Sequence, residues 1–134
     1  MPGCLHHISL TCRDLSKSLN FYEKIGFKIE HSHHNDKCVI SWLKLDDIRI
    51  ELFFFSNSNQ QLIDDDIENY SFIENFGITH FALQHEELDQ YRAILVERGI
   101  FCSQIKQARM GAFSYFFVAD PDGNRIEFLG SSAC

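Results

Sequence analysis

Basic residues are scarce: 12 Lys and Arg stand against 19 Asp and Glu, leaving this 134-residue chain at −7 near neutral pH. Nucleic acid and anionic membranes both select basic surface, so neither is expected as a main partner. No apolar run approaches the roughly 18 residues needed to cross a bilayer. The opening MPGCLHHIS has neither the charged flank nor the apolar stretch of a secretory signal, so a cytoplasmic location is expected. The five cysteines (Cys4, Cys12, Cys38, Cys102 and Cys134) are odd in number, scattered and without a C-x-x-C pair. They read as reduced thiols, not as a disulfide framework. What the chain does have is apolar mass: 45% hydrophobic residues with 13 Phe, enough for a compact core and too much for a disordered chain.

That mass is arranged twice over. A shift of 73 positions lays His7 on His80, Leu10 on Leu83, Asp14 on Glu87, Leu15 on Leu88 and Gly26 on Gly99. A shift of 76 lays Arg49-Ile50-Glu51-Leu52 on Arg125-Ile126-Glu127-Phe128. The matches keep their order, which marks an internal repeat. Each copy reads as strand, helix and three strands. In the first, Leu5–Cys12 alternates as a strand, and Asp14 caps a helix with Leu15, Leu19, Tyr22 and Ile25 on one face. Gly26 ends that helix, and strands follow near 27–33, 38–45 and 48–55, the last two joined at Asp46-Asp47. In the second, a strand over 78–84 and a helix over 87–98, with Leu88, Tyr91 and Leu95 inward, precede strands near 100–106, 112–119 and 124–130. Asp120-Pro121-Asp122-Gly123 is a turn before the last of them. The expected organisation is one domain over 1–134: a first module 1–55, an acidic linker 56–76 and a second module 77–134. The linker has no Lys or Arg, and Asp64, Asp65, Asp66, Glu68 and Glu74 fall within it. It reads as solvated chain with a short helix, or alternatively as an acidic lid.

Side chains alternate between the two faces of a strand, so parity decides which residues can meet. In the first strand His7, Ser9 and Thr11 oppose the apolar face of Ile8, Leu10 and Cys12. In the last strand of the same copy Arg49, Glu51, Phe53 and Phe55 oppose Ile48, Ile50, Leu52 and Phe54. The second copy repeats this, setting His80 and Glu127 opposite Phe81, Leu83, Ile126 and Phe128. A mid-strand carboxylate between large apolar neighbours costs several kcal/mol to bury without a partner. A divalent cation would satisfy His7, Glu51, His80 and Glu127 together, because imidazole nitrogen and carboxylate oxygen are suitable ligands. Singly, each has a plainer reading: a histidine hydrogen-bonded in the core, or ion pairs of Glu51 with Arg49 or Lys44 and of Glu127 with Arg125. His6 has the wrong parity, His31, His33 and His34 read as surface residues, and His85 has no assigned partner.

The segments HHISLTCRDLSKSLNFYEKIGFK and DPDGNRIEFLG resemble the opening and closing motifs of the vicinal oxygen chelate superfamily, and the resemblance spans nearly the whole chain. It implies an α+β fold of two βαβββ modules forming a curved mixed sheet around a metal-bearing cavity, usually in a homodimer. It assigns His7, Glu51, His80 and Glu127 as ligands of one divalent metal ion per site (Zn, Ni, Co or Mn, with Fe disfavoured). A His/Glu/His/Glu set is similar to that of glyoxalase I. It therefore implies a lyase or isomerase that draws a small vicinal-oxygen substrate through an enediolate, with Glu127 as base and Glu51 as second base or permanent ligand. Phe53, Phe55, Phe113, Tyr115 and Phe117 have the parity to keep such a cavity dry, or simply to pack the core. Glutathione-using members carry Arg and Asn where Thr11 and Phe55 stand here, which argues against glutathione; Asn57 is the amide further along. The alternatives are a thiol or group transferase of the fosfomycin-resistance type, an extradiol dioxygenase, or a non-catalytic small-molecule binder.

Overall fold

The alternation of the N-terminal segment becomes a strand from Ile8 onward in the computed structural model, which describes residues 3–56 and 66–131. β1 (Ile8–Cys12) leads into α1 (Leu15–Lys24), whose N-cap Asp14 is extended and accepts the Lys17 N–H at 3.1 Å. The buried stripe of α1 is Ser18, Phe21 and Tyr22, so it lies closer to Phe21 than the sequence pattern suggested, with Leu15 and Leu19 only half-buried. Gly26, at φ 108°, turns the chain out of the helix, and the Phe27 N–H reaches back to the Tyr22 carbonyl at 2.9 Å. β2 (Lys28–His34), β3 (Cys38–Leu45) and β4 (Ile48–Phe55) follow as antiparallel neighbours. β1 closes the sheet by pairing parallel to β4, giving the order β1-β4-β3-β2. The apolar face carries Cys12, Leu43, Ile50 and Leu52, all essentially inaccessible, as are Tyr22 and Phe27.

The second copy repeats the plan with β5 (His80–Gln84), α2 (Leu88–Glu97), β6 (Lys106–Gln107), β7 (Phe113–Ala119) and β8 (Arg125–Ser131), in the sheet order β5-β8-β7-β6. The fold is thus α+β, with a four-stranded mixed sheet and one helix in each βαβββ module. Two compact units, Met1–Leu62 and Ile63–Cys134, carry the two modules. Glu87 occupies the N-cap of α2, but its longer side chain makes no cap bond. The Glu87 N–H instead meets Nδ1 of His85, which also stacks on Tyr91 at 4.4 Å. His85, unassigned from sequence, thus organises the entry to α2.

The strand expected over 100–106 is not continuous: only Lys106–Gln107 pairs as β6, beside an isolated bridge between Cys102 and Val118. Side chains have taken the backbone groups a ladder would use. Arg92 binds the Cys102 and Ser103 carbonyls at 3.2 and 2.8 Å, and Glu68 accepts the Gln104 N–H at 2.8 Å. The turn at Asp120–Gly123 is tightly specified, since the Asp120 carboxylate accepts from the Asp122 and Asn124 amides and from the Asn124 side chain. The described part of the linker is not merely solvated. Ile67 is buried, Asn69 caps the 3-10 helix Tyr70–Glu74, and the Asp66 carbonyl receives Arg125. Asn57, Asp64, Asp65 and Cys134 lie outside the described residues. No helix among the described residues is long and apolar enough to cross a membrane.

Burial pushes the Cys102 thiol up to about 11, against a weaker downward pull from Arg92. The folded state therefore favours the neutral thiol. This stability is fully present below the ordinary thiol value of 9 and is lost as pH rises toward 11, where only the unfolded chain ionises freely. We expect iodoacetamide at pH 8 to label exposed Cys4 and spare Cys102 in native protein, with mass spectrometry locating the adducts. Equal labelling of both would contradict this burial.

Candidate metal centre

Register fixes which side chains meet around each carboxylate. In the first unit Glu51 lies on β4 between Ser9 of β1 and Trp42 of β3, its direct partners across the sheet. Facing side chains in such pairs are in contact range. Ser9 Oγ donates to Glu51 Oε1 at 3.1 Å and Trp42 Nε1 to Oε2 at 2.7 Å. His7, on the Ser9 face and just ahead of β1, places Nε2 3.4 Å from Oε1. The Glu51 side chain is only 15% exposed and that of His7 32%. The imidazole therefore stays reachable while the carboxylate is largely shielded.

The ion pairs that offered a plainer reading of Glu51 do not form. Arg49 binds Glu30 instead, through Nε at 2.8 Å and Nη2 at 3.1 Å, and Lys44 also approaches Glu30, at 3.7 Å. The hydrogen bond from Arg49, more than any other influence, holds the Glu30 carboxyl below the usual carboxylate range. Arg49 then lies over Trp42, 5.2 Å from the ring centre, and reaches His6 Nε2 at 3.2 Å. His6 and His31 both contact the Trp42 ring, so they are neighbours of this centre despite the wrong parity of one and the surface reading of the other.

In the second unit Glu127 lies on β8 between Ala82 of β5 and Phe117 of β7. His80 Nε2 is 3.1 Å from Glu127 Oε2, with the two side chains 27% and 16% exposed. Thr79 Oγ1 meets the other ring nitrogen of His80 at 2.8 Å, a contact that orients the imidazole. Phe117 and Phe72 pack edge-on to that ring at 5.2 and 6.1 Å, and Tyr70 packs on Phe117 at 5.4 Å. The acidic segment thus supplies an aromatic wall to His80, which the sequence pattern did not reveal. Arg125 is buried, lies over Phe72 and donates to the Asp66 carbonyl.

Each unit therefore gathers one imidazole and one carboxylate, with Nε2 3.4 Å from a carboxylate oxygen in the first and 3.1 Å in the second. Nitrogen and oxygen donors of this kind fit a borderline divalent cation such as Zn, Ni, Co or Mn. Among the described residues no cluster of three or more His, Cys, Asp or Glu is gathered as a metal-binding group. Each half-set thus holds two donors of the expected four.

Two βαβββ modules, each presenting an imidazole–carboxylate pair from equivalent strands, define a class of duplicated α+β folds. The chain belongs to the Glyoxalase/Bleomycin resistance protein/Dioxygenase superfamily, whose sequence profile matches residues 4–128. Members of this superfamily commonly bind a divalent metal and small molecules. The chain is 30% identical to the uncharacterized protein YwkD of Bacillus subtilis over 127 residues, covering 92% of this chain and 93% of that one. It is 29% identical to Glyoxylase I 4 of Arabidopsis thaliana over 129 residues, covering 92% of this chain and 68% of the plant protein. The crystal structure of a glyoxalase family protein from Enterococcus faecalis superposes with a TM-score of 0.78 at 25% identity, over 93% of this chain and 95% of that one.

If Phe72 is the cover of His80, Phe72→Ala should speed its modification by diethyl pyrocarbonate several-fold while leaving His7 unchanged, as read by mass spectrometry. An unchanged rate at His80 would show that the ring does not shield it.

Proposed function

We propose that this protein is a glyoxalase-like metal-dependent lyase or isomerase acting on a small vicinal-oxygen substrate of the 2-oxoaldehyde or hemithioacetal kind. The observation that carries the reading is the matched pair of half-sets: His7 with Glu51 at 3.4 Å and His80 with Glu127 at 3.1 Å, on equivalent strands of the two modules. The plant relative's name, Glyoxylase I 4, points to the same chemistry.

His7, Glu51, His80 and Glu127 would hold one divalent ion, which when bound acts as a Lewis acid toward the substrate's adjacent oxygens. Glu127 is the base. Its Oε2 meets His80, and its Oε1 has no hydrogen-bond partner among the described residues, which leaves it available to take a proton from the carbon beside the carbonyl. A positioned base of this type contributes roughly 10²–10⁴-fold to rate. Phe53 and Phe55 stack at 5.8 Å on the face of β4 that carries Glu51, and would help to exclude water there. Thr11 and Phe55 offer neither the cation nor the amide that a glutathione carboxylate would need, which argues against glutathione as the thiol partner. A homodimer in a reducing compartment is the proposed working state. Leu5 and Ile78, equivalent under the 73-residue shift, are 75% and 92% exposed, and Cys4, Cys12, Cys38 and Cys102 form no disulfide among the described residues.

His7→Ala and His80→Ala are each expected to lose stoichiometric Zn, Ni, Co or Mn on dialysis, as measured by elemental analysis. Glu127→Gln should keep more metal than either and lose about 10²–10⁴ in kcat on the best 2-oxoaldehyde–thiol pair. Both histidine variants retaining full metal would sink the ligand assignment, and full turnover by Glu127→Gln would sink the assignment of the base.

A further inference from the structure

The two half-sets are matched in their imidazole and carboxylate but not in what stands beside the carboxylate. Sheet register places Ser9 and Trp42 on either side of Glu51, and Ala82 and Phe117 at the same places beside Glu127. Ser9 and Trp42 both donate to Glu51, one to each oxygen. Alanine and phenylalanine have no side-chain donor to offer. Among the described residues Glu127 accordingly meets His80 alone.

Trp42 is well suited to hold a carboxylate still. Its indole nitrogen can only donate. Its ring is in turn confined by His7 at 6.2 Å, His6 at 5.2 Å, His31 at 6.2 Å and the Arg49 guanidinium at 5.2 Å. Arg49 is itself fixed by two bonds to Glu30. The division of labour on Glu51 is also informative. Oε2 is committed to Trp42, while Oε1 is the oxygen that stands beside His7 Nε2. Outer hydrogen bonds of this kind orient a ligating carboxylate and commonly change metal affinity or activity by roughly 10- to 100-fold when removed.

We propose that Ser9 and Trp42 are positioning residues that hold the Glu51 carboxylate in place for the metal ion. The proposal deepens the metal-dependent reading above and rests on it.

The test is Zn²⁺ affinity of the full chain, measured by competition with a chromophoric chelator, for wild type and for Ser9→Ala, Ser9→Thr and Trp42→Phe. Circular dichroism establishes that each variant is folded. Trp42→Phe keeps an aromatic side chain but removes the indole N–H with its five-membered ring, and Ser9→Thr keeps the hydroxyl. Affinity should fall about 10- to 100-fold in Trp42→Phe and in Ser9→Ala, and Ser9→Thr should restore it. A metal-free readout accompanies this. The chain has one tryptophan, so its single indole N–H resonance should shift in Glu51→Ala and stay put in Glu127→Ala. Zn²⁺ affinity within twofold of wild type in both Trp42→Phe and Ser9→Ala overturns the proposal while leaving the metal reading intact. Failure of wild type itself to bind Zn²⁺, Ni²⁺, Co²⁺ or Mn²⁺ overturns the metal reading, and the proposal with it.

Discussion

A carboxylate set in the middle of a strand, largely withdrawn from water, must be given a partner, and the architecture of both modules answers that demand. Leaving such a charge uncompensated costs several kcal/mol, a large share of the net stability of a small domain. The strands that flank Glu51 and Glu127 bring an imidazole to each, from a residue at or just before the first strand of its module. Parallel pairing of β1 with β4, and of β5 with β8, makes this possible, because it carries the start of the module alongside its end. The helix between them is the crossover that parallel pairing requires. Its buried face then covers the apolar side of the sheet, leaving the other side for polar groups.

Duplication has preserved that frame and let its details diverge. Asp14 caps α1 with its own carboxylate, whereas at α2 the equivalent Glu87 has no cap bond and His85 takes the backbone amide in its place. Around Glu51 the outer ring is polar, with Ser9, Trp42 and the Arg49–Glu30 pair; around Glu127 it is aromatic and apolar, with Phe117, Phe72 and Ala82.

Much of this was legible in the chain. Gly26 and Gly99, the helix positions, the tight turn at Asp46-Asp47 and the parity of His7, Glu51, His80 and Glu127 each follow from local rules, and apart from the strand expected over 100–106 the observed strands and helices agree with them to within a few residues. Even Trp42 could have been found: a two-residue turn pairs Leu45 with Ile48, and counting back along both strands sets Trp42 against Glu51. Two features were not legible, for a shared physical reason. The backbone of 102–104 is satisfied by side chains of other segments, Arg92 on α2 and Glu68 in the linker, and Tyr70 and Phe72 reach Phe117 and His80 through a polar segment with no periodic signal. Long-range side-chain contacts of this kind leave no local pattern to read.

The most direct test is X-ray absorption spectroscopy at the metal edge of the purified full-length protein loaded with one equivalent of Zn²⁺ or Co²⁺. The account predicts a first shell of two imidazole nitrogens and carboxylate oxygens at about 2.0–2.2 Å, losing one imidazole in His7→Ala and one in His80→Ala. A shell of three or more imidazoles, or one unaffected by either substitution, would place the ion among the surface histidines and contradict it.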